Sequence, residues 1–378
     1  MTSTKATAPL LALTTYLWLL ACSAVACNVP VFRYALERWD ADIYYALVVY
    51  GSAGLTESEQ SAYDLLRKYS ISDYGAINLD VYQYSRDALA QSEFAPLFLE
   101  SDASSDEATV YLFHPLSAEK TGPIWEAPLT VSNVHRILAD PDRLELITRI
   151  ASGTSFVMVM LESGDPERDE AAWQRLSDAM ATVSDFLPSP EGIELHDGTI
   201  IGNEYMAADP ANKLMSPIPL KLEFDLQRIP RTEANSVLTS SLLSVDPKLA
   251  GMESEPMVFP VFARGRFIYP MIGDEITEDN VLYVSNYICG ACSCEIKVQN
   301  PGMDLPVLMD WEAALYGDEP IATMQQFLSA ESIAKAASAS DEDDLEITIT
   351  IDTVTLGMLV ISAIALVGIV LFIRRRLS

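Results

Sequence analysis

An α/β fold is predicted, built from two tandem β-α-β-α-β-β-α units and followed by one C-terminal transmembrane helix. Three observations predict it. Short apolar runs rich in β-branched and aromatic residues alternate with segments of 3.6-residue apolar periodicity, the mark of strands interleaved with amphipathic helices. That order runs twice between residues 27 and 295. Residues 354–373 then form a run of twenty without a charge.

The chain opens with an apolar run over 9–21 behind a single Lys5, too short to span comfortably as a helix. Ala24, Val25 and Ala26 fit a small-x-small cleavage site, so 1–26 read as a signal peptide and Cys27 as the first mature residue. Leu19-Leu20-Ala21-Cys22 also fits a bacterial lipobox, in which Cys22 carries lipid. Ordinary cleavage is the preferred reading, because a second anchor already exists.

Residues 27–150 make the first unit, with strands over 44–50, 76–82, 108–113 and 124–128. Its helices fall over 56–69, 85–99 and 131–150, the last broken near Pro141. Residues 151–295 make the second, with a buried-type strand over 156–161 and a helix over 167–186 striped by Ala172, Leu176, Met180 and Val183. A strand over 220–226 and a helix over 232–249 follow. Strands over 257–262 and 267–272 are joined by a hairpin turn, 263–266, with glycine where a positive φ is easiest. Thr277 caps a last helix that Gly290 stops. Residues 296–353 are a C-terminal extension: 306–315 pack back onto the second unit, 321–337 read at best as an amphipathic helix, and 338–344 as a polar linker.

At about 1.5 Å per residue, 354–373 cover roughly 30 Å, one hydrocarbon core. Arg374, Arg375 and Arg376 follow at once. Positive residues stay cytoplasmic, so the chain is expected in a bacterial cytoplasmic membrane as a single-pass protein, with residues 374–378 inside and the N-terminus outside. The span holds no ionisable residue and reads as a tether rather than a transport path. The chain carries 54 Asp and Glu against 24 Lys and Arg, a formal net charge of −30, which makes nucleic acid and anionic lipid surfaces poor partners.

The β-α-β-α-β-β-α order resembles the thioredoxin fold, most closely over 255–288, where Pro256 precedes a strand, a glycine-bearing hairpin follows, and the next strand leads through Gly273 into the last helix. The resemblance implies a cis proline at Pro256, beside the active site. The opening CNVPVFRYALERW also resembles uncharacterised bacterial envelope proteins of planctomycete type, a resemblance that implies no activity.

A redox-active thioredoxin-like protein places Cys-x-x-Cys where its first strand meets its first helix, whose N-terminus stabilises the thiolate. Those positions fall at Gly51 to Thr56 and at Glu162 to Arg168, and neither contains cysteine. The cysteines lie instead at Cys289, Cys292 and Cys294, after the last helix, with Cys27 far away in sequence. A helix C-terminus raises a thiol pKa rather than lowering it. Three readings stand open for the cluster: disulfides, with Cys27 making the count even; a Zn²⁺ or Cu⁺ site with Cys27 or a histidine as fourth ligand; and a redox pair used in exchange. Among the histidines, His114 follows a strand, His135 sits on a helix face and His196 in a turn. Arg264 and Arg266 at the hairpin tip concentrate positive charge on an acidic exterior; they read as a solvated turn or as the contact for an acidic partner. The expectation is a binding or assembly module without catalytic residues that contacts another envelope protein. The alternative is a thiol oxidoreductase or metal-handling protein using the cluster.

Overall fold

The computed structural model describes residues 27–71, 76–98, 107–115, 118, 120, 122–138, 140–183, 185–231, 236–291 and 296–317. The expected signal peptide with Cys22, the stretches 321–337 and 338–344, the apolar run 354–373 and Arg374 to Arg376 lie outside them, as do Cys292 and Cys294. Among the described residues no helix is long and apolar enough to cross a membrane.

The protein is α/β with mixed sheets. Helix α1 (Val31–Arg38) leads to β1 (Tyr44–Tyr50), α2 (Glu57–Tyr69), β2 (Leu79–Ser85), the single turn α3 (Arg86–Leu89), β3 (Thr109–Phe113) and β4 (Pro123–Pro128). Strand β1 is apolar on both faces. Tyr44, Ala46 and Val48 enter a core shared with Ala62, Leu66, Val134 and Ile137. Leu47 and Val49 face a second cluster with Leu89, Phe94, Tyr111 and Phe113. The sheet order is β2-β1-β3-β4: β1 and β2 run parallel, and β3 is antiparallel to β1 and β4. The 85–99 stretch is not one helix. It forms α3 and then a 3-10 turn, Ala95–Phe98, because Pro96 supplies no N–H for a continuing ladder.

The break near Pro141 is present. It separates α4 (Val131–Leu138) from α5 (Pro141–Ala151), with Pro141 in the first turn and the Asp140 carboxylate accepting from the amides of Asp142 (3.1 Å) and Arg143 (3.3 Å). Next come β5 (Phe156–Leu161), α6 (Pro166–Val183), the small hairpin β6 (Ile193–Glu194) and β7 (Ile200–Ile201), the turn α7 (Glu204–Ala207), β8 (Phe224–Ile229), α8 (Val237–Leu243), β9 (Met257–Phe262), β10 (Arg266–Phe267), β11 (Met271–Ile272), α9 (Glu278–Cys289), β12 (Met303–Asp304) and α10 (Trp311–Tyr316). The second sheet is ordered β12-β10-β9-β5-β8, with β11 on β9. Again the first two strands of the unit, β5 and β8, are parallel, and β9 runs antiparallel to β5 and β10.

Four expected elements shift. The strand placed at 76–82 lies at β2, three residues further on. The strand placed at 220–226 lies at β8, where Phe224 pairs with Phe156. The helix over 232–249 is α8 followed by a 3-10 turn opened by Pro247. The strand over 267–272 is split into β10 and β11 around Pro270, which has no N–H to donate. The hairpin turn carries Gly265 at φ +95° as expected, and Ala263 at +53° as well.

Residues expected in the first unit and in the C-terminal extension complete the second core. Cys27, Val29, Phe32, Leu36 and Trp39 pack with β5, β9, α6 and α9, and so do Leu305, Val307, Met309, Trp311 and Leu315. Arg33 and Glu37, one turn apart on α1, form an ion pair of 2.8 Å with 1% of either side chain exposed. The pair is tolerated in the core because its remaining valences are met. Arg33 donates to Ser216 O (2.9 Å), and Glu37 accepts from the amides of Met215 (2.9 Å) and Ser216 (3.3 Å).

One run knits the two sheets together. Met303 and Asp304 pair with β10, and Leu305 N donates to Gly265 O (2.9 Å). A few residues on, Leu308 bridges Ile77 and Met309 N donates to Ala76 O (3.1 Å), at the edge of the first sheet. Buried Asn78 holds the middle: its amide donates to Asp42 O (2.7 Å) and Leu305 O (3.0 Å) and accepts from Val307 N (2.6 Å).

Candidate functional site

The carboxyl ends of parallel strands are where α/β sheets leave room for ligands. In the second unit that edge is β5 and β8, leading into the loop Glu162 to Asp165. The Asp169 carboxylate, 2% exposed, accepts from Ser163 N (2.7 Å), Ser163 Oγ (2.8 Å) and Gly164 N (3.0 Å). Asp165 accepts from the amides of Glu167 (3.0 Å) and Arg168 (3.3 Å), the first free donors of α6. The helix N-terminus that would stabilise a thiolate or an oxyanion therefore already holds the Asp165 carboxylate, while Asp169 ties down the loop before it. Ser163 donates to a carboxylate engaged with two backbone amides, which makes Asp169 an anchor for the loop rather than a base.

Three arginines that the sequence reading did not single out gather there. Arg168 pairs with Glu255 (2.7 Å). Arg228 lies between Glu162 and Glu170, with its guanidinium 5.8 Å from the Trp173 ring centre. Arg231 donates to Glu162 O (2.7 Å) and Glu255 O (3.4 Å), and burial lowers its pKa. They come from positions 168, 228 and 231, so no sequence window shows them as a cluster. Pro256 lies beside Glu255, and its carbonyl accepts from Gly273 N (2.9 Å). Among the described residues there is no cis peptide bond, so the cis proline implied by the resemblance is corrected: the chain enters β9 from the bend at Glu255 through a trans peptide.

The first unit closes its junction in the same way. Thr56 and Glu59 form a reciprocal capping box on α2: Glu59 N donates to Thr56 Oγ1 (3.3 Å) and Thr56 N to Glu59 Oε2 (2.7 Å). Those bonds, that from Thr56 N first, hold the Glu59 carboxyl below its ordinary pKa.

Cys289 ends α9, buried, and desolvation pushes its thiol up to about 12, so it is protonated at neutral pH and a poor nucleophile. Cys27 is buried on the same core, with Sγ 3.3 Å from Ala211 O. The segment after Cys27 lies against the end of α9: Pro30 forms an antiparallel bridge with Ala291, and Val31 N donates to Gly290 O (3.0 Å). Among the described residues no group of three or more His, Cys, Asp or Glu side chains is arranged to hold a metal ion. Cys292 and Cys294 lie outside those residues.

The hairpin arginines are corrected. Neither is a solvated turn residue or a free contact for a partner. Arg264 donates to Leu36 O (2.9 Å) and Glu37 O (3.4 Å), placing a cation on the carbonyl end of α1, where the helix dipole favours it. Arg266, 4% exposed, donates to Pro301 O (3.0 Å) and Asn300 O (2.9 Å), and its guanidinium lies 5.4 Å from the Trp39 ring centre. It also belongs to a buried set of charges with Asp304 (3.3 Å), Asp42 (3.8 Å) and Lys297. Burial, offset by Lys297, raises the Asp304 carboxyl above its ordinary pKa. The set joins the approach to β1 with β12, so its geometry is that of a fastening.

No protein family matches the chain, and no curated protein matches it.

Proposed function

We propose that the chain is a binding or assembly module of a bacterial envelope, held outside the cytoplasmic membrane by residues 354–373 and built on two thioredoxin-like units without the usual active site. The common sheet order supports the thioredoxin-like reading: in both units a parallel pair is followed by two antiparallel strands. The observation that carries the non-catalytic reading is the pair of strand-to-helix junctions. Each lacks cysteine, and each helix N-terminus is filled by its own chain, by Thr56 with Glu59 in the first and by Asp165 in the second. The work is then done by contact with another envelope protein. In a disulfide-reductase assay the full chain is expected to show no turnover, in wild type and in Cys292→Ser alike. Turnover in wild type that disappears in Cys292→Ser would replace this reading with the oxidoreductase one.

The cysteines are read as structural, which the Pro30–Ala291 bridge supports. The bridge brings the segment after Cys27 to the end of α9, where the cysteine cluster begins. We read Cys27 as joined by a disulfide to one cysteine of that cluster, which pins the N-terminal segment. A loop that long contributes about 5–6 kcal/mol on chain-entropy grounds, an upper value for real bridges. Non-reducing peptide mapping is expected to find Cys27 linked to the 289–294 cluster. A stoichiometric Zn²⁺ or Cu⁺ in the native mass, or alkylation of Cys27 without reductant, would return the cluster to metal or redox chemistry.

A further inference from the structure

A groove of about 550 Å³ opens between the first sheet and α8, away from both strand-to-helix junctions and from the cysteines. Its lining is mixed: Pro123, Ile124, Leu243 and Pro247 form an apolar side, Ser240 and Ser244 are polar, and two nitrogen-bearing side chains, His114 and Lys120, also face it. Lys120 Nζ donates to the carbonyls of Ser244 and Val245 (2.6 Å to the latter), at the C-terminal end of α8. An ammonium has three N–H groups, so one remains. His114 Nδ1 is buried and has no hydrogen-bond partner among the described residues. The two groups are electrostatic neighbours: burial first, and then Lys120, hold the imidazole down to about 4, so it is neutral at physiological pH. Asp246 acts on Lys120 in the opposite sense to burial, which lowers the lysine.

We propose that this groove binds a small apolar monocarboxylate, its oxygens accepting from the remaining N–H of Lys120 beside the His114 ring, its hydrocarbon part on the proline, isoleucine and leucine side. The charge count selects the class. Among the described residues Lys120 is the one cation lining the groove and Asp246 already acts on it, so a phosphate dianion would be left largely uncompensated in a chain of net charge −30, far more so than a single carboxylate. The volume lies in the range of small-ligand sites, about 300–1,000 Å³, far above the roughly 30 Å³ share of one water molecule.

The probe is hexanoate, titrated into the full chain at neutral pH and followed by the imidazole resonances. The chain has 3 histidines, so His114 is assigned by substitution. A saturable shift confined to His114 is expected, absent with hexanol and with inorganic phosphate. Lys120→Met should weaken binding by about tenfold or more, while Lys120→Arg, which keeps the charge, retains it. Ile124→Asp, which leaves Lys120 and its carbonyl partners in place, should abolish binding by placing a like charge on the wall. The proposal is overturned by no saturable response at about 10 mM, by an equal response to hexanol or phosphate, or by unchanged affinity in Ile124→Asp.

Discussion

His114 stands at the end of β3 with its imidazole largely withdrawn from water, and that has a direct consequence for acid stability. Its ordinary pKa of 6.5 falls to about 4 in the fold. Between those values the unfolded chain binds the extra proton and the folded one does not. Stability therefore drops as pH falls through this window and is fully present above it. The loss is on the order of 2 kcal/mol, allowing for partial exposure of the ring. His114→Gln should flatten this limb, and urea midpoints at about pH 7 and pH 4.5 would display it. An unchanged difference between the two midpoints would show that the acid limb belongs to other groups. Arg264 and Arg266 show at this scale why single residues mislead. In the sequence they flank Gly265 in a hairpin turn, where charge ordinarily means solvent. Their partners, Leu36 O, Glu37 O, Asn300 O and Asp304, lie 34 to 228 positions away. Nothing local announces such a contact, and a buried arginine satisfied by carbonyls looks in sequence like any other arginine.

Helix α1 gains its stability from what closes its ends and fills its face. Eight residues are marginal as a helix alone. Arg264 and the Tyr316 hydroxyl (2.9 Å) both reach Glu37 O, in the last turn. Arg264→Ala removes the charged partner of two carbonyls and should cost about 1–3 kcal/mol. Amide exchange at Trp39, whose N–H donates to Ala35 O (3.1 Å), should quicken with it; a loss of stability without local exchange would point instead to the hairpin. Among elements, the legible ones were those whose cause is local. The strands 44–50, 156–161 and 257–262 are bounded as their apolar runs are. The caps at Thr56 and Thr277 and the stop at Gly290 were all readable from residue type. What failed needed a partner. β8 is fixed by pairing with β5 rather than by its own alternation, and β12 and α10 are fixed by the core they cover. The short hairpin β6–β7 has too few residues to show a period. At the candidate site, the missing cysteines were visible, but the three arginines converge only through the fold.

The run 303–309 fastens the two sheets to each other, and Asn78 holds its middle. Asn78→Leu leaves Leu305 O, Asp42 O and Val307 N without that partner in a dry interior, a loss of roughly 3 kcal/mol or more. Unfolding should then cease to be a single transition. Trp125 reports the first core, and Trp39 and Trp311 the second. Divergent melting of these probes is expected in the variant and coincident melting in the wild type; coincidence in both would mean the sheets are coupled through other contacts. The same run carries a mechanical consequence. The chain beyond Gly317 is joined to the body through α10 and then through 303–309. A pull along that run bears on hydrogen bonds to β10 and to Ala76 and Asn78 side by side, as a lap joint is loaded in shear. Traction from the C-terminal side is thus divided between both sheets where it arrives, and neither sits behind the other as a link in series.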